Sequence, residues 1–255
     1  MKIGFFDSGM GGLTILRAVR AYMPEYDYIF FGDTANVPYG SKSEEEIHTL
    51  TYAGIKRLFD AGAVIVIVAC NTASARSVRI HQDEMLAREY PDRKLLGVII
   101  PTVETLLATP AKNVLLIGTE RTIRSEKYLI ELKKGDADFT LYTHATPSLV
   151  PLIESGDLEG ACTEVRHVLC EPKYANIDTV VLGCTHYTLL KECIRCNRTC
   201  TIISQDEIIP EKFKEYLTRH PEIESRLTRE GSVEIDLSVE NEHYDTIKKT
   251  LLRAH

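Results

Sequence analysis

An α/β fold with mainly parallel sheets, built as two similar halves, follows from three features of the sequence. Short apolar runs alternate with longer amphipathic stretches along the chain, the pattern of strand–helix alternation. Most of the runs are continuous and rich in β-branched residues, as strands covered on both faces are. Two of them also end alike: Val64-Ile-Val-Ile-Val-Ala-Cys70-Asn-Thr-Ala resembles Thr179-Val-Val-Leu-Gly-Cys184-Thr-His-Tyr. Each is an apolar strand closing in Cys plus small hydroxyl or amide residues and leading into a helix.

The chain opens on a strand, Lys2–Phe6, which breaks at the glycine-rich turn Asp7-Ser8-Gly9-Met10-Gly11-Gly12 into an amphipathic helix over Gly12–Tyr22. Tyr28–Phe31 is the second strand, and the Pro/Gly/Asn-rich loop Gly32–Ser41 follows it. Ser43–Ala61 reads as a helix and Val64–Ala69 as the strand that ends at Cys70. Ala73–Tyr90 is helical in period, Leu95–Ile99 a strand, and Val98–Pro101 a crossover between the halves. The second half begins with strand Asn113–Ile117, which opens into a polar turn as Lys2–Gly9 does. A helix over Arg121–Lys134, strand Phe139–Tyr142 and the loop Thr146–Glu154 come next. Strand Thr179–Leu182 leads to Cys184, a helix through Leu189–Cys196 and strand Thr201–Ile203. Gln205–Pro210 is a second crossover and Val233–Leu237 a last strand. The expected division is 1–97 with 209–255 for the half carrying Cys70, and 98–208 for the half carrying Cys184.

Composition narrows the function classes. With 255 residues, 44% of them hydrophobic and 26% charged, the chain has the make-up of a globular protein. No apolar run approaches the roughly 20 residues of a membrane span, and the N-terminus runs into a strand too early for a secretory signal. A cytoplasmic location and no membrane partner are the expectations. The formal charge of −7 and the lack of a Lys/Arg-rich segment argue against nucleic acid as the main partner. The seven cysteines form an odd set, which does not read as a disulfide framework.

The candidate chemistry sits at strand ends, where ligands bind in open α/β sheets. Cys70-Asn71-Thr72-Ala73-Ser74 opens a helix that Thr72 or Ser74 can cap, and free N–H groups there bind carboxylates and depress a thiol pKa. Taken alone, Cys70 is as well explained as a small core hydrophobe. Gly183-Cys184-Thr185-His186-Tyr187 repeats the arrangement, with His186 in reach of a neighbour. Two strand-end cysteines at equivalent points of a repeat are hard to explain by packing. The turn Asp7–Gly12 has neither G-x-G-x-x-G nor P-loop spacing, so it reads as a small-ligand loop rather than a nucleotide site.

These segments carry a family resemblance. Asp7–Gly12, Pro38–Ser41, Cys70–Ala73, Pro147–Glu154 and Gly183–Tyr187 are similar to the signature blocks of glutamate racemases, in order and spacing over nearly the whole chain. The resemblance implies two pseudo-symmetric α/β domains with the active site in the cleft between them, no cofactor and no metal, a homodimer, and D-glutamate made for peptidoglycan. It implies that Cys70 and Cys184 are the catalytic pair, Cys70 handling the proton of the D-isomer and Cys184 that of the L-isomer. It further implies that Asp7, Ser8, Tyr39, Gly40, Asn71, Thr72, Thr185 and His186 contact substrate. Asp7 is expected as a base beside Cys70 and His186 as one beside Cys184, with Glu154 supporting His186. Two positions depart from the pattern: Thr188 stands where a proline usually follows, and Ile202–Asp206 is loose against the usual acidic motif.

Two thiols suit racemisation. One group acting alone returns the proton it took, whereas a thiolate and a thiol on opposite faces of Cα give inversion in either direction. The Cα–H is very weakly acidic, so charge developing on the carboxylate needs preorganised donors, for which Asn71, Thr72 and Thr185 are candidates. Aspartate racemase is the near rival, set aside because related aspartate enzymes carry an acidic residue at the position of His186. A metal or redox module on Cys193-Ile-Arg-Cys196-Asn-Arg-Thr-Cys200 is the rival from another class, one thiol short of a usual zinc site.

Overall fold

The computed structural model describes residues 1–136, 138–240, 244, 245 and 248. Among these, the chain forms strands β1 (Lys2–Asp7), β2 (Tyr28–Gly32), β3 (Ala63–Val68), β4 (Lys94–Gly97), β5 (Asn113–Gly118), β6 (Thr140–Ala145), β7 (Thr179–Gly183), β8 (Thr201–Ile203) and β9 (Val233–Leu237). They make a five-stranded sheet ordered β4-β3-β1-β2-β9 and a four-stranded sheet ordered β6-β5-β7-β8. Every pairing is parallel. The order β4-β3-β1-β2 of the first sheet is matched by β8-β7-β5-β6 of the second, so the repeat read from the two cysteine strands extends to the whole topology. In both sheets β3 and its equivalent β7 lie beside the first strand of the half.

Each sheet is covered on both faces, which is why its strands read as unbroken apolar runs. Ile3 and Phe5 of β1 pack under helices Leu13–Tyr22 and Gln205–Arg219 through Leu16, Val19, Phe213 and Leu217. Phe6 points to the other face, against Ile47, Ile55 and Phe59 of helix Glu44–Asp60. That helix carries a full capping box, Ser43 accepting from the Glu46 N–H and Glu46 from the Ser43 N–H, an arrangement worth about 1 kcal/mol. In the second sheet Leu115, Ile117 and Leu182 meet Val165 and Leu169 of helix Leu158–Cys170. Val114, Leu116 and Val181 meet Val103, Leu106 and Leu132 on the opposite side.

The helices depart from the sequence reading in several places. The stretch expected as one helix over Ala73–Tyr90 starts earlier and breaks into Asn71–Arg76, Val78–His81, a π turn at Gln82–Leu86 and Ala87–Glu89. The Arg121–Lys134 stretch splits into Glu120–Arg124 and Lys127–Leu132 around Glu126, whose φ of 52° is left-handed. One such residue leaves the hydrophobic period intact, so period alone does not reveal it. Both expected crossovers begin helices: Ile99–Ala108 after Val98, and Gln205–Arg219, which carries Pro210 within it. Strand β4 accordingly ends at Gly97 rather than Ile99. Of the expected 209–255 segment, residues 241–243, 246, 247 and 249–255 lie outside the described residues.

Candidate active site

The carboxyl ends of β1, β3, β5 and β7 turn toward one another across the gap between the sheets and enclose a small cavity. Ser8, Tyr39, Gly40, Cys70, Asn71 and Thr72 line it from the first half, and Cys184, Thr185 and His186 from the second. Those are nine of the eleven residues singled out in the sequence. The other two, Asp7 and Glu154, stand directly behind the lining, Asp7 against Thr185 and Glu154 against His186. Pro38, Thr119 and Val150 complete it.

The two cysteines occupy equivalent strand ends but differ in surroundings. Cys70 is itself the N-cap of helix Asn71–Arg76, its sulfur accepting from the Ala73 N–H at 3.5 Å. It therefore takes the capping place expected of Thr72 or Ser74. Its thiol donates to Ser8 Oγ at 3.3 Å. Burial, and next the Asp7 carboxylate, push the Cys70 thiol up to about 12, while Ser8 and the Ala73 N–H pull the other way. Cys184 faces the His186 ring, with Sγ 3.7 Å from Nδ1. On the far side of that ring Nε2 lies 2.5 Å from Glu154 Oε1. Burial opposes a charged imidazole here, yet the Cys184 sulfur and the Glu154 carboxylate outweigh it and hold His186 well above its ordinary value. Asp7 is fully enclosed, and burial raises its carboxyl pKa against the pull of His186 and the Gly12 N–H, which donates to Oδ2 at 2.8 Å.

The halves touch through these same groups. Thr185 Oγ1 donates to Asp7 at 3.4 Å, and Thr72 Oγ1 pairs with Thr119 Oγ1 at 2.9 Å. The glycines of the first turn make this approach possible. A Cβ on Gly11 would lie 2.5 Å from Thr185 Oγ1 and 2.8 Å from the His186 backbone nitrogen, and one on Gly9 would lie 2.7 Å from Glu154 Oε1. The turn is thus shaped by the opposite half, which accounts for its lack of phosphate-loop spacing. Tyr39 puts its ring in the lining while its hydroxyl donates to Asp33 Oδ2 at 2.7 Å.

Thr119 is the polar lining residue that sequence reasoning missed. It follows β5 as Ser8 follows β1, so the repeat itself held the signal. The cysteines beyond the cavity also differ from expectation. Cys162 and Cys193 form a disulfide between helix Leu158–Cys170 and helix Lys191–Asn197. The odd count concealed one pair, and that pair removes Cys193 from the C-x-x-C metal motif. Burial raises the Cys200 thiol pKa. Among the described residues no group of three or more His, Cys, Asp or Glu side chains is arranged around a metal position, and no helix is long and apolar enough to cross a membrane.

Residues 13–207 match the family described as Asp/Glu/Hydantoin racemase. The chain belongs to that family. Among its relatives, the glutamate racemase of Aquifex aeolicus is 44% identical over 194 residues, 75% of this chain and 73% of that protein. A glutamate racemase isoform from Bacillus anthracis superposes with a TM-score of 0.86 at 28% identity, over 98% of this chain and 93% of that one. The Francisella tularensis glutamate racemase, solved with D-glutamate, gives a TM-score of 0.84 at 27% identity, over 100% and 94%. The two superpositions show that this chain shares the fold of those racemases over nearly its whole length.

A second, larger cavity of about 510 Å³ lies where helices Ile99–Ala108 and Gln205–Arg219 meet. Its charged lining includes Lys127 and Lys134, both paired to Glu131, and Lys212, paired to Glu104. It contains neither Cys70 nor Cys184.

Proposed function

We propose that the chain is a cofactor-independent glutamate racemase that moves the Cα proton between two thiols and supplies D-glutamate for peptidoglycan. The observation that carries this reading is the pair of buried cysteines at equivalent strand ends of a repeat, both lining one cavity. Their unlike surroundings support a division of states in the resting site. Cys70, beside a carboxylate and fully buried, keeps its proton, while Cys184 faces the imidazolium of His186. In the L-to-D direction the Cys184 thiolate takes the Cα proton, breaking C–H and forming S–H. The Cys70 thiol then gives its proton to the opposite face, forming the new C–H and leaving a thiolate. The electron pair released from Cα rests on the α-carboxylate, which the N–H and O–H groups of Asn71, Thr72 and Thr185 are suited to receive. The reverse direction runs the same steps backwards, so Cys70 serves the D-isomer and Cys184 the L-isomer. Asp7 and the His186–Glu154 pair are the proton reserves behind the two thiols.

The cavity that both thiols line has a volume of about 10 Å³, no more than one water requires. Polar groups of the two walls meanwhile bond to each other, as Thr72 does with Thr119 and Thr185 with Asp7. Glutamate therefore enters by parting the halves and exchanging those bonds for its own. The division 1–97 with 209–255 against 98–208 is supported by sheet membership and by Ile209, Phe213 and Leu217 joining the first core. A cytoplasmic homodimer is the assembly the family resemblance supports.

The test is racemisation of L- and D-glutamate without added cofactor, with Cys70→Ala and Cys184→Ala alongside. Both variants are expected to lose activity while keeping their melting temperature. Full activity in either refutes the two-thiol scheme. Loss of activity on dialysis against a chelator, restored by metal, refutes cofactor independence.

A further inference from the structure

One side chain of the lining has its orientation dictated from outside the cleft. Asn71 is 2% exposed. Its Oδ1 accepts from the Tyr128 hydroxyl at 2.7 Å and from Gln205 Nε2 at 3.3 Å. Its Nδ2 is buried and has no hydrogen-bond partner among the described residues. An amide carries donors at one end and an acceptor at the other, so its neighbours decide which end faces the cavity. The decision here is made at Thr102. Its hydroxyl donates to the Val98 carbonyl at 2.7 Å, so its oxygen is left to accept. Gln205 Nε2 meets that oxygen at 3.4 Å and the Tyr128 hydroxyl at 3.2 Å. With the Gln205 amide reversed, its carbonyl oxygen would face the Thr102 oxygen with no hydrogen between them. Gln205 therefore turns its NH₂ toward Asn71, Asn71 answers with Oδ1, and the Asn71 NH₂ is left for the cleft.

We propose that Gln205 and Tyr128 are positioning residues for the racemase: a one-way chain of hydrogen bonds from the Val98 carbonyl holds the Asn71 NH₂ toward the cleft, where it donates to a substrate carboxylate. The proposal rests on the glutamate racemase reading of the cleft. Neither residue lines the cavity; both act through Asn71. They come from helices Lys127–Leu132 and Gln205–Arg219, and Thr102 from Ile99–Ala108, whereas Asn71 belongs to the first half. A buried donor without a partner is costly, and a bound carboxylate is the group that meets it. Gln205 also lies in the Ile202–Asp206 stretch that departs from the family motif.

The test compares Gln205→Glu, Tyr128→Phe, Asn71→Ala and Asn71→Ala with Gln205→Glu in the same chain. A carboxylate at position 205 accepts only, so it draws the Asn71 NH₂ inward and turns Oδ1 to the cleft. Removing a hydrogen bond to a charged group is worth a factor of about 10 to 100, and KM for both enantiomers is expected to rise by that factor in Gln205→Glu. A smaller rise is expected in Tyr128→Phe. A merely structural role lowers the active fraction and so kcat, leaving KM in place. In the Asn71→Ala background Gln205→Glu is expected to add nothing further. KM within twofold of the parent in both single variants overturns the proposal, as does a full Gln205→Glu effect persisting without Asn71. If Gln205→Glu does not fold, Tyr128→Phe with and without Asn71→Ala decides by the same criteria. A parent protein that fails to racemise glutamate overturns the reading of the cleft as well. An active parent with unaffected variants overturns the positioning role alone.

Discussion

Replacing Glu154 by Gln removes the carboxylate that, with the Cys184 sulfur, raises the His186 pKa against burial, while keeping the side chain's shape. Glu154 Oε1 lies 2.5 Å from His186 Nε2, and its side chain is 11% exposed, so solvent screens the contact little. A hydrogen bond between charged partners is worth about 1.5–3 kcal/mol, and each 1.4 kcal/mol is about a factor of ten in rate. We expect kcat/KM to fall about 10- to 100-fold. Because enantiomers have an equilibrium constant of one, the fall is the same from L- and from D-glutamate, which gives the measurement an internal check. The pH profile carries the sharper signature. His186 has a raised pKa, so its imidazolium persists as pH rises and is lost only on passing that value. Without the Glu154 carboxylate the pKa drops, and the alkaline limb of kcat/KM moves to lower pH. Initial rates followed by circular dichroism in both directions between pH 6 and 10 measure both effects. A kcat/KM within twofold of the parent, with the alkaline limb unmoved, would show that Glu154 does not govern the Cys184 side.

Iodoacetamide is expected to label Cys184 before Cys70 in the free protein, since burial and Asp7 push the Cys70 thiol up to about 12; peptide mapping that finds the opposite order refutes the assigned resting state. Gly11→Ala sets a methyl group 2.8 Å from the His186 backbone nitrogen, which cannot move aside as a side-chain tip can, so we expect a loss of activity of about 100-fold or more. Near-parental rates would mean the turn does not need its close approach. Reduction of Cys162–Cys193 frees residues 31 apart in sequence; loop closure of that size is worth about 3.5 kcal/mol, and the melting temperature is expected to drop by roughly 5–15 °C. Equal melting of reduced and oxidised protein refutes the staple. Activity at room temperature is expected to be the same in both forms, because neither cysteine lines the cavity.

The sheets were legible because burial on both faces writes itself as an uninterrupted β-branched run. Val64–Val68 and Thr179–Leu182 are such runs, and the cysteine ending each marked the repeat. Helix interruptions were not legible. Nothing in Arg121–Lys134 distinguishes a left-handed Glu126 from a helical one, since both leave Tyr128 and Leu132 on the apolar side. The lining residues contributed by the marked turns were found through motif resemblance and strand-end position together. Thr119 lay in a turn marked only as the counterpart of Lys2–Gly9, Tyr128 on a stretch that reads only as an amphipathic helix, Gln205 in one that reads only as a crossover, and Thr102 just past the other crossover. Their role comes from hydrogen bonds between residues as much as 134 apart in sequence, such as Gln205 with Asn71, and no local pattern encodes such a meeting. The disulfide was missed for the same reason: an odd count of thiols says nothing about which two helices pack side by side.

The repeat explains why two thiols face one cavity, yet the chemistry depends on where the repeat fails. Each turnover of the two-thiol scheme converts one proton arrangement, Cys70 thiol with Cys184 thiolate, into the reverse, so both must be accessible with substrate bound. In the empty cleft they are unequal, for burial and the Asp7 carboxylate oppose a thiolate at Cys70, whereas Cys184 has the His186 ring beside it in place of a carboxylate. Two groups can level the difference. The substrate ammonium brings positive charge into the cleft, and Asp7, its own carboxyl pKa raised by burial, can hold a proton beside Cys70 and cancel the charge that disfavours its thiolate. His186 and Asp7 also act on each other, for the positive imidazole lowers the Asp7 carboxyl pKa. A change of proton on one side of the cleft is thereby felt on the other, through the same Gly9–Gly12 turn that brings the halves together. The symmetric scaffold fixes the two faces of attack, and the unlike partners, a carboxyl behind one thiol and a histidine–carboxylate pair behind the other, let protonation alternate between them.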